Sequence, residues 1–174
     1  MKKTLVAAAL LAAGLAGTAQ AALVTLPFQY RVDFADPAVA AQLGLATGSG
    51  FSGSATYDDA ATPVGGLYTA TTFSLDFGNL SFTGLDDVSG LGVGVGVEGG
   101  SLSALYFTTM FTLVGGANGE YLLDFFGSQA VLTPAGDTFD YKVTASSVPV
   151  PPALPLLAAG LGVMGWLARR SRVD

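Results

Sequence analysis

Two pairs of adjacent carboxylates, Asp58-Asp59 and Asp86-Asp87, are the residues of this chain best suited by type and spacing to do chemistry. Both pairs fall near the ends of predicted strands. Clustered loop carboxylates outside a cell can hold calcium, a hard cation that gathers several oxygens. Neither pair has the spacing of an EF-hand or of another calcium loop. Aspartate in a turn also accepts backbone N–H bonds, and its charge keeps a surface in solution. The structural role is the expected one, with calcium as the alternative at either pair. Glu120 and Asp124 lie four residues apart on one predicted strand. They therefore point to one face, as the two carboxylates of a glycosidase must. Among so many acids such a pair arises by chance, and catalysis is not expected from it. Tyr57, Tyr68 and Tyr106 could stack on sugar rings, but as core or cross-strand residues they need no ligand. Gly92-Val93-Gly94-Val95-Gly96-Val97 imitates a phosphate loop without the lysine or the helix that such a loop requires.

The elements that must position these residues read as β. Phe73-Ser74-Leu75-Asp76-Phe77 and Leu80-Ser81-Phe82-Thr83 alternate in polarity around Gly78-Asn79. A two-residue turn with glycine in a positive-φ position predicts a hairpin there. Its register pairs Phe77 with Leu80, Asp76 with Ser81 and Leu75 with Phe82, so that all apolar residues share one face. Phe51, Gly53, Ala55 and Tyr57 alternate with Ser52, Ser54, Thr56 and Asp58, and Phe139 to Ala145 alternates likewise. Leu105 to Leu113 reads as a central strand covered on both faces. It turns through Gly115-Gly116-Ala117-Asn118-Gly119 into Tyr121 to Phe126, and Val24 to Phe34 supplies the first strand. Glycine at every second position makes Leu91 to Val97 a weak edge strand or a loop. One short helix is expected, with Asp36 as N-cap, Pro37 first, Ala38 to Leu43 as its body and Gly44 as the stop. About eight strands separated by turns predict an all-β fold, an antiparallel β-sandwich with one short helix.

Composition excludes several classes of function. The span 22–147 is long enough for one domain with its own core. It holds two bases, Arg31 and Lys142, against twelve acids, a net charge of −10. Such a domain repels nucleic acid and anionic lipid. The chain has no cysteine and no histidine. Disulfides, Ser-His-Asp and Cys-His catalysis and His-based zinc sites are therefore ruled out.

Both ends read as addresses. Lys2 and Lys3 precede an apolar stretch, Thr4 to Gly17, and Ala19-Gln20-Ala21 supplies the small residues of a signal-peptidase site. This is the three-part pattern of a secretory signal peptide, residues 1–21, with the cut expected between Ala21 and Ala22. At the other end, Val148 to Ala168 runs 21 residues without a charge and stops at Arg169, Arg170 and Arg172. That length is close to the ~20 residues needed to cross a bilayer. Pro149, Pro151, Pro152 and Pro155 confine a regular helix to Leu154 or later, giving a single transmembrane helix of roughly 22 Å. Positive charge stays on the cytoplasmic side, so residues 22–147 face outward, in agreement with the signal peptide.

The run VPVPPALPLLAAGLGVMGWLARRSR, residues 148–172, resembles the PEP-CTERM sorting signals of Gram-negative bacteria, in particular the variant reading VPLPA. The resemblance makes Val148, Pro149, Val150 and Pro151 the recognition motif, Ala153 to Ala168 the membrane segment and the three arginines the stop. It departs from the family in having Val150, not Glu, between the prolines. It implies an exosortase, a membrane cysteine transpeptidase, as the processing enzyme after signal peptidase. It also implies a transient stay in the inner membrane, with the domain in the periplasm and the tail in the cytoplasm, and a final place at the cell surface or in the extracellular matrix. Exopolysaccharide is the partner it suggests. A non-enzymatic exported domain is the leading expectation. A calcium- or polysaccharide-binding surface module and a single-pass periplasmic protein that keeps its anchor are the alternatives.

Overall fold

The computed structural model describes residues 22–115 and 119–149. The expected signal peptide up to Ala21, the expected membrane segment with its basic stop, and residues 116–118 of the predicted turn lie outside them. The described chain forms β1 (Leu23–Ala35), α1 (Pro37–Leu43), β2 (Gly50–Asp58), β3 (Tyr68–Phe77), β4 (Leu80–Thr83), a 3-10 turn (Gly84–Asp86), β5 (Gly94–Glu98), β6 (Ser101–Leu113), β7 (Gly119–Gly127), β8 (Gln129–Pro134) and β9 (Val143–Val148).

The hairpin at Gly78-Asn79 has the expected register, with Phe77 opposite Leu80, Asp76 opposite Ser81 and Leu75 opposite Phe82. Asp76 is exposed and accepts the Ser81 hydroxyl at 2.8 Å. Gly78 has φ +62°, and a Cβ there would lie 2.0 Å from the Leu43 carbonyl oxygen. Only glycine permits both. The predicted helix α1 also forms within its expected limits. Asp36 accepts the N–H groups of Ala38 and Val39, Pro37 comes first, and Gly44 ends the helix at φ 67°. The two features then meet: Asn79 donates its N–H to Leu43 O at 2.7 Å and its side-chain amide to Gln42 O at 3.2 Å. The hairpin turn satisfies carbonyls that a helix C-terminus leaves open.

The mostly antiparallel β expectation holds, whereas two separate sheets do not form. All strands belong to one sheet ordered β2-β1-β9-β8-β7-β6-β5-β3-β4, and β2 also pairs with β3. Hydrogen bonding therefore returns on itself through eight strands, with β4 folded back on β3, and the result is a closed barrel. The cause is stagger. β1 pairs with β2 through Leu23 to Arg31 and with β9 through Gln29 to Ala35, with a bulge between Val32 and Phe34. A sheet whose strands each serve two offset neighbours curls until its edges meet. Alternating in–out patterns fit a sandwich and a barrel equally well.

The interior is filled with rings. Tyr30 stacks on Phe51 at 5.5 Å and meets Phe125 edge-on at 5.1 Å, while Phe73 lies 4.6 Å from Phe107. Gly53 allows this packing, because a Cβ there would come within 2.3 Å of the Phe28 ring. Each such buried side chain stabilises by roughly 1.5–3 kcal/mol. Apolar inside and polar outside is the reverse of an outer-membrane barrel. No helix among the described residues is long and apolar enough to cross a membrane.

Three local expectations change. Leu105 to Leu113 is not covered on both faces, since Tyr106 and Met110 on its outer side are exposed. The Gly-Val run is not an edge: β5 lies between β6 and β3, with Val95 fully buried. The last strand begins at Val143, not Phe139. Asp137 Oδ1 accepts the N–H groups of Phe139 and Asp140 at 3.1 and 3.3 Å, which curls those residues into a turn and leaves them without a ladder partner.

Candidate functional site

Every second residue of a barrel strand faces outward. On β2 and β3 these positions carry small polar groups, and Ser54 bonds to Ser74 at 3.0 Å. On β6, β7 and β1 they also carry one ring each, Tyr106, Phe126 and Phe34. One row joins Tyr106 to Phe126, Phe126 to Gln129, Gln129 to Ser146 and Ser146 to Arg31. The next row joins Thr108, Asp124, Val131, Thr144 and Phe34. Phe34, Tyr106, Phe126 and Tyr141 are 43–49% exposed and Phe139 is 87% exposed. These five are all the exposed aromatic residues among the described residues; Tyr106 on β6 and Phe34 on β1 lie four strands apart in the ring of eight, on opposite sides of the barrel, and Phe139 and Tyr141 belong to the connection between β8 and β9.

A groove of about 280 Å³ lies on the outside of β7, β8 and β9, lined by Phe126, Tyr141, Gln129, Val131 and Thr144. Beyond Ser146 a second depression, of about 410 Å³, opens beside Arg31, Ser52 and Val148. Two acids on the outside of these strands are held by neighbouring hydroxyls: Ser146 donates to Asp33, and Thr108 donates to Asp124 at 2.7 Å. Lys142 pairs with Asp140 at 2.8 Å. The hydrogen bond that the lysine donates to that carboxylate raises the lysine pKa, so its ammonium stays charged.

The acid pairs take up backbone donors. Asp58 ends β2 and accepts Ala60 N–H at 2.9 Å. Asp59 accepts Ala22 N–H at 2.9 Å, and its own N–H returns to Ala22 O at 3.2 Å. Asp86 closes a capping box by accepting the Thr83 N–H at 2.6 Å and the Thr83 hydroxyl at 3.0 Å. Asp87 accepts Thr108 N–H at 3.1 Å, Gly92 N–H at 3.2 Å and the Ser89 hydroxyl at 2.6 Å, while Val88 N–H reaches Thr108 O at 2.8 Å. Thr108 lies two residues past the end of the β5–β6 ladder, so Asp87 and Val88 supply the bonds that a longer β5 would have made. Among the described residues no group of three acids could hold a metal ion.

Glu120 and Asp124 do share the outer face of β7, opposite Thr112 and Thr108. Four residues of strand separate them by roughly 13 Å, more than the ~5–9.5 Å between glycosidase carboxylates. Of the three tyrosines considered for sugar stacking, Tyr106 is exposed. Tyr57 is buried against Tyr68 with ring centres 4.6 Å apart, and burial, Tyr68 and Asp59 together raise its pKa. Burial likewise raises that of Tyr30, whose hydroxyl donates to Gly127 O.

Of the expected sorting motif, Val148 ends β9 opposite Gln29, and Pro149 follows it, exposed. Val150, Pro151, Arg169, Arg170 and Arg172 lie outside the described residues, as do Ala19 and Ala21 of the expected cleavage site; Ala22 is the first described residue. Sequence reasoning missed Phe34, Phe126, Phe139 and Tyr141. The adjacent rings of Phe125-Phe126 carried a usable signal, because neighbours in a strand cannot both face the core. No protein-family model, curated protein or solved structure matches the chain.

Proposed function

We propose that this is an exported, non-enzymatic barrel protein, sent through the inner membrane by its signal peptide and sorted to the cell surface or matrix by exosortase processing of its C-terminal tag. The order of motif, apolar segment and basic stop in residues 148–172 carries this reading. The ladder of β9 ends at Val148, the first residue of that motif, which agrees with a boundary between domain and tag. A barrel interior occupied by rings, with neither cysteine nor histidine in the chain, favours a role other than catalysis.

Mass spectrometry of the mature protein tests it. Chains that begin at Ala22 and end near the proline motif are expected. A mature population intact through Asp174 would overturn the processing step and leave a single-pass periplasmic protein in its place.

A further inference from the structure

We propose that Pro27 stops the sheet at the border of the C-terminal tag. It denies the chain beyond Pro149 a place on the open edge of β1, and so leaves that chain as an unladdered substrate for the processing enzyme. The substrate part rests on the function proposed above; the strand stop does not.

β1 pairs with β2 from Leu23 onward, whereas β9 accompanies it only from Gln29 to Ala35. Among the described residues no strand lies along the other edge of β1 between Leu23 and Phe28. Alternate residues of an antiparallel strand turn their N–H and C=O groups to opposite neighbours. Ala22 O accepts the Asp59 N–H, and Val32 donates to Ser49 O and accepts the Gly48 N–H. The even-numbered residues of this stretch therefore serve the β2 side. Gln29 and Arg31 serve β9, and Leu23, Thr25 and Pro27 turn their backbone groups to the open edge.

An open sheet edge recruits any strand held beside it, and the chain after Val148 is joined to the strand that ends there. Gln29 stands opposite Val148 and Arg31 opposite Ser146. Continued, that register sets Val150 against Pro27 and Pro152 against Thr25. Ser147 gives its N–H to Ser128 O on the β8 side. Pro149 and Pro151, in phase with it, would face away from β1, and their missing donors would cost that ladder nothing. The decisive pair is Val150 with Pro27. Val150 has the only N–H between Pro149 and Pro152. It would meet the Pro27 carbonyl, but Pro27 has no N–H to return and carries a ring carbon in its place. Thr25 with Pro152 would again make one bond of two. Half the bonds of a ladder do not offset the entropy of ordering the strand. The strand does end at Val148, with Pro149 exposed beyond it. Pro27 is itself exposed, so core packing does not require a proline there. An enzyme cuts the unladdered form of a chain, and its rate follows the population of that form.

Pro27→Val tests the proposal by restoring the N–H at the edge. Thr25→Val is the control, since it alters the same exposed edge without adding a donor. In the full chain, purified in detergent from a host without the processing enzyme, the parent's Thr25 amide should exchange freely while the laddered Gln29 amide is protected. Pro27→Val should slow exchange at Thr25 about fivefold, the worth of one backbone hydrogen bond. In a pulse-chase of producing cells it should slow processing by a similar factor, with Thr25→Val processed at the parent's rate. The proposal is overturned if the parent's Thr25 is as protected as Gln29, or if Pro27→Val leaves exchange at Thr25 unchanged. It is equally overturned if exchange slows but processing does not, or if Thr25→Val slows processing as much. Protection of Thr25 that grows with protein concentration would put a second copy's strand on the edge and overturn it as well. A parent that stays intact through Asp174 in cells removes the processing reading and the substrate part with it; the exchange comparison then still decides whether Pro27 stops the strand.

Discussion

Where β2 ends, Asp59 reaches across the rim to Ala22 with one exposed hydrogen bond in each direction. Ahead of β5, Asp87 gathers three donors, among them a partly buried backbone N–H of β6. The two sites are the same Asp-Asp dipeptide in sequence, and in each the second aspartate makes the long-range contact while the first orders the local turn. They differ in what would be left behind. At the rim a lost carboxylate is replaced by water. In the seam it leaves Thr108 with a donor that no strand can reach, since β3 is laddered to β5 only through Tyr68 and Thr69.

The largest expected effect follows from that difference. Asp87→Ala should destabilise the barrel by about 2–3 kcal/mol, the cost of orphaning a partly buried donor together with a charge-assisted bond. Urea unfolding measures it. A loss no greater than that of Asp59→Ala would break the contrast between seam and rim. A smaller effect is expected at Asp59. With the proposed cut at Ala21–Ala22, its partner in the mature protein is an α-ammonium, and the hydrogen bond becomes an exposed ion pair. Asp59→Asn should then cost a few tenths of a kcal/mol and lose most of that effect near ~1 M salt, where screening is short. A salt-independent effect would mean that the nitrogen is still an amide, and so that the cut lies elsewhere. The smallest effect concerns calcium. A ligand bound to the folded state raises its melting temperature by mass action. Millimolar calcium is expected to leave the melting temperature unmoved, because both acid pairs already serve backbone donors; a clear rise would restore the metal reading.

Local chemistry was legible in the sequence. The Gly78-Asn79 register and the Asp36-Pro37 to Gly44 helix depend on rules that act within a few residues, and both form as expected. Closure was not legible. It rests on pairings such as Arg31 with Ser146, more than a hundred residues apart, and alternation says only that a residue faces in, not which sheet encloses it. Phe139 was misread because period-two polarity ignores ladder partners, and Asp137 bends the chain away before one is met. The acid pairs were legible as turn residues but not in their long-range partners. The exposed rings were half-legible: Tyr106 stood out as a candidate, whereas Phe126 was hidden beside Phe125.

The ladder of β9 runs to Val148, which pairs with Gln29 of β1, so Pro149 follows directly on a residue held in the sheet. With the tail cut near the proline motif as proposed, the new C-terminus would sit at the end of a strand already laddered to β1. Processing would then change where the domain is without loosening how it is folded.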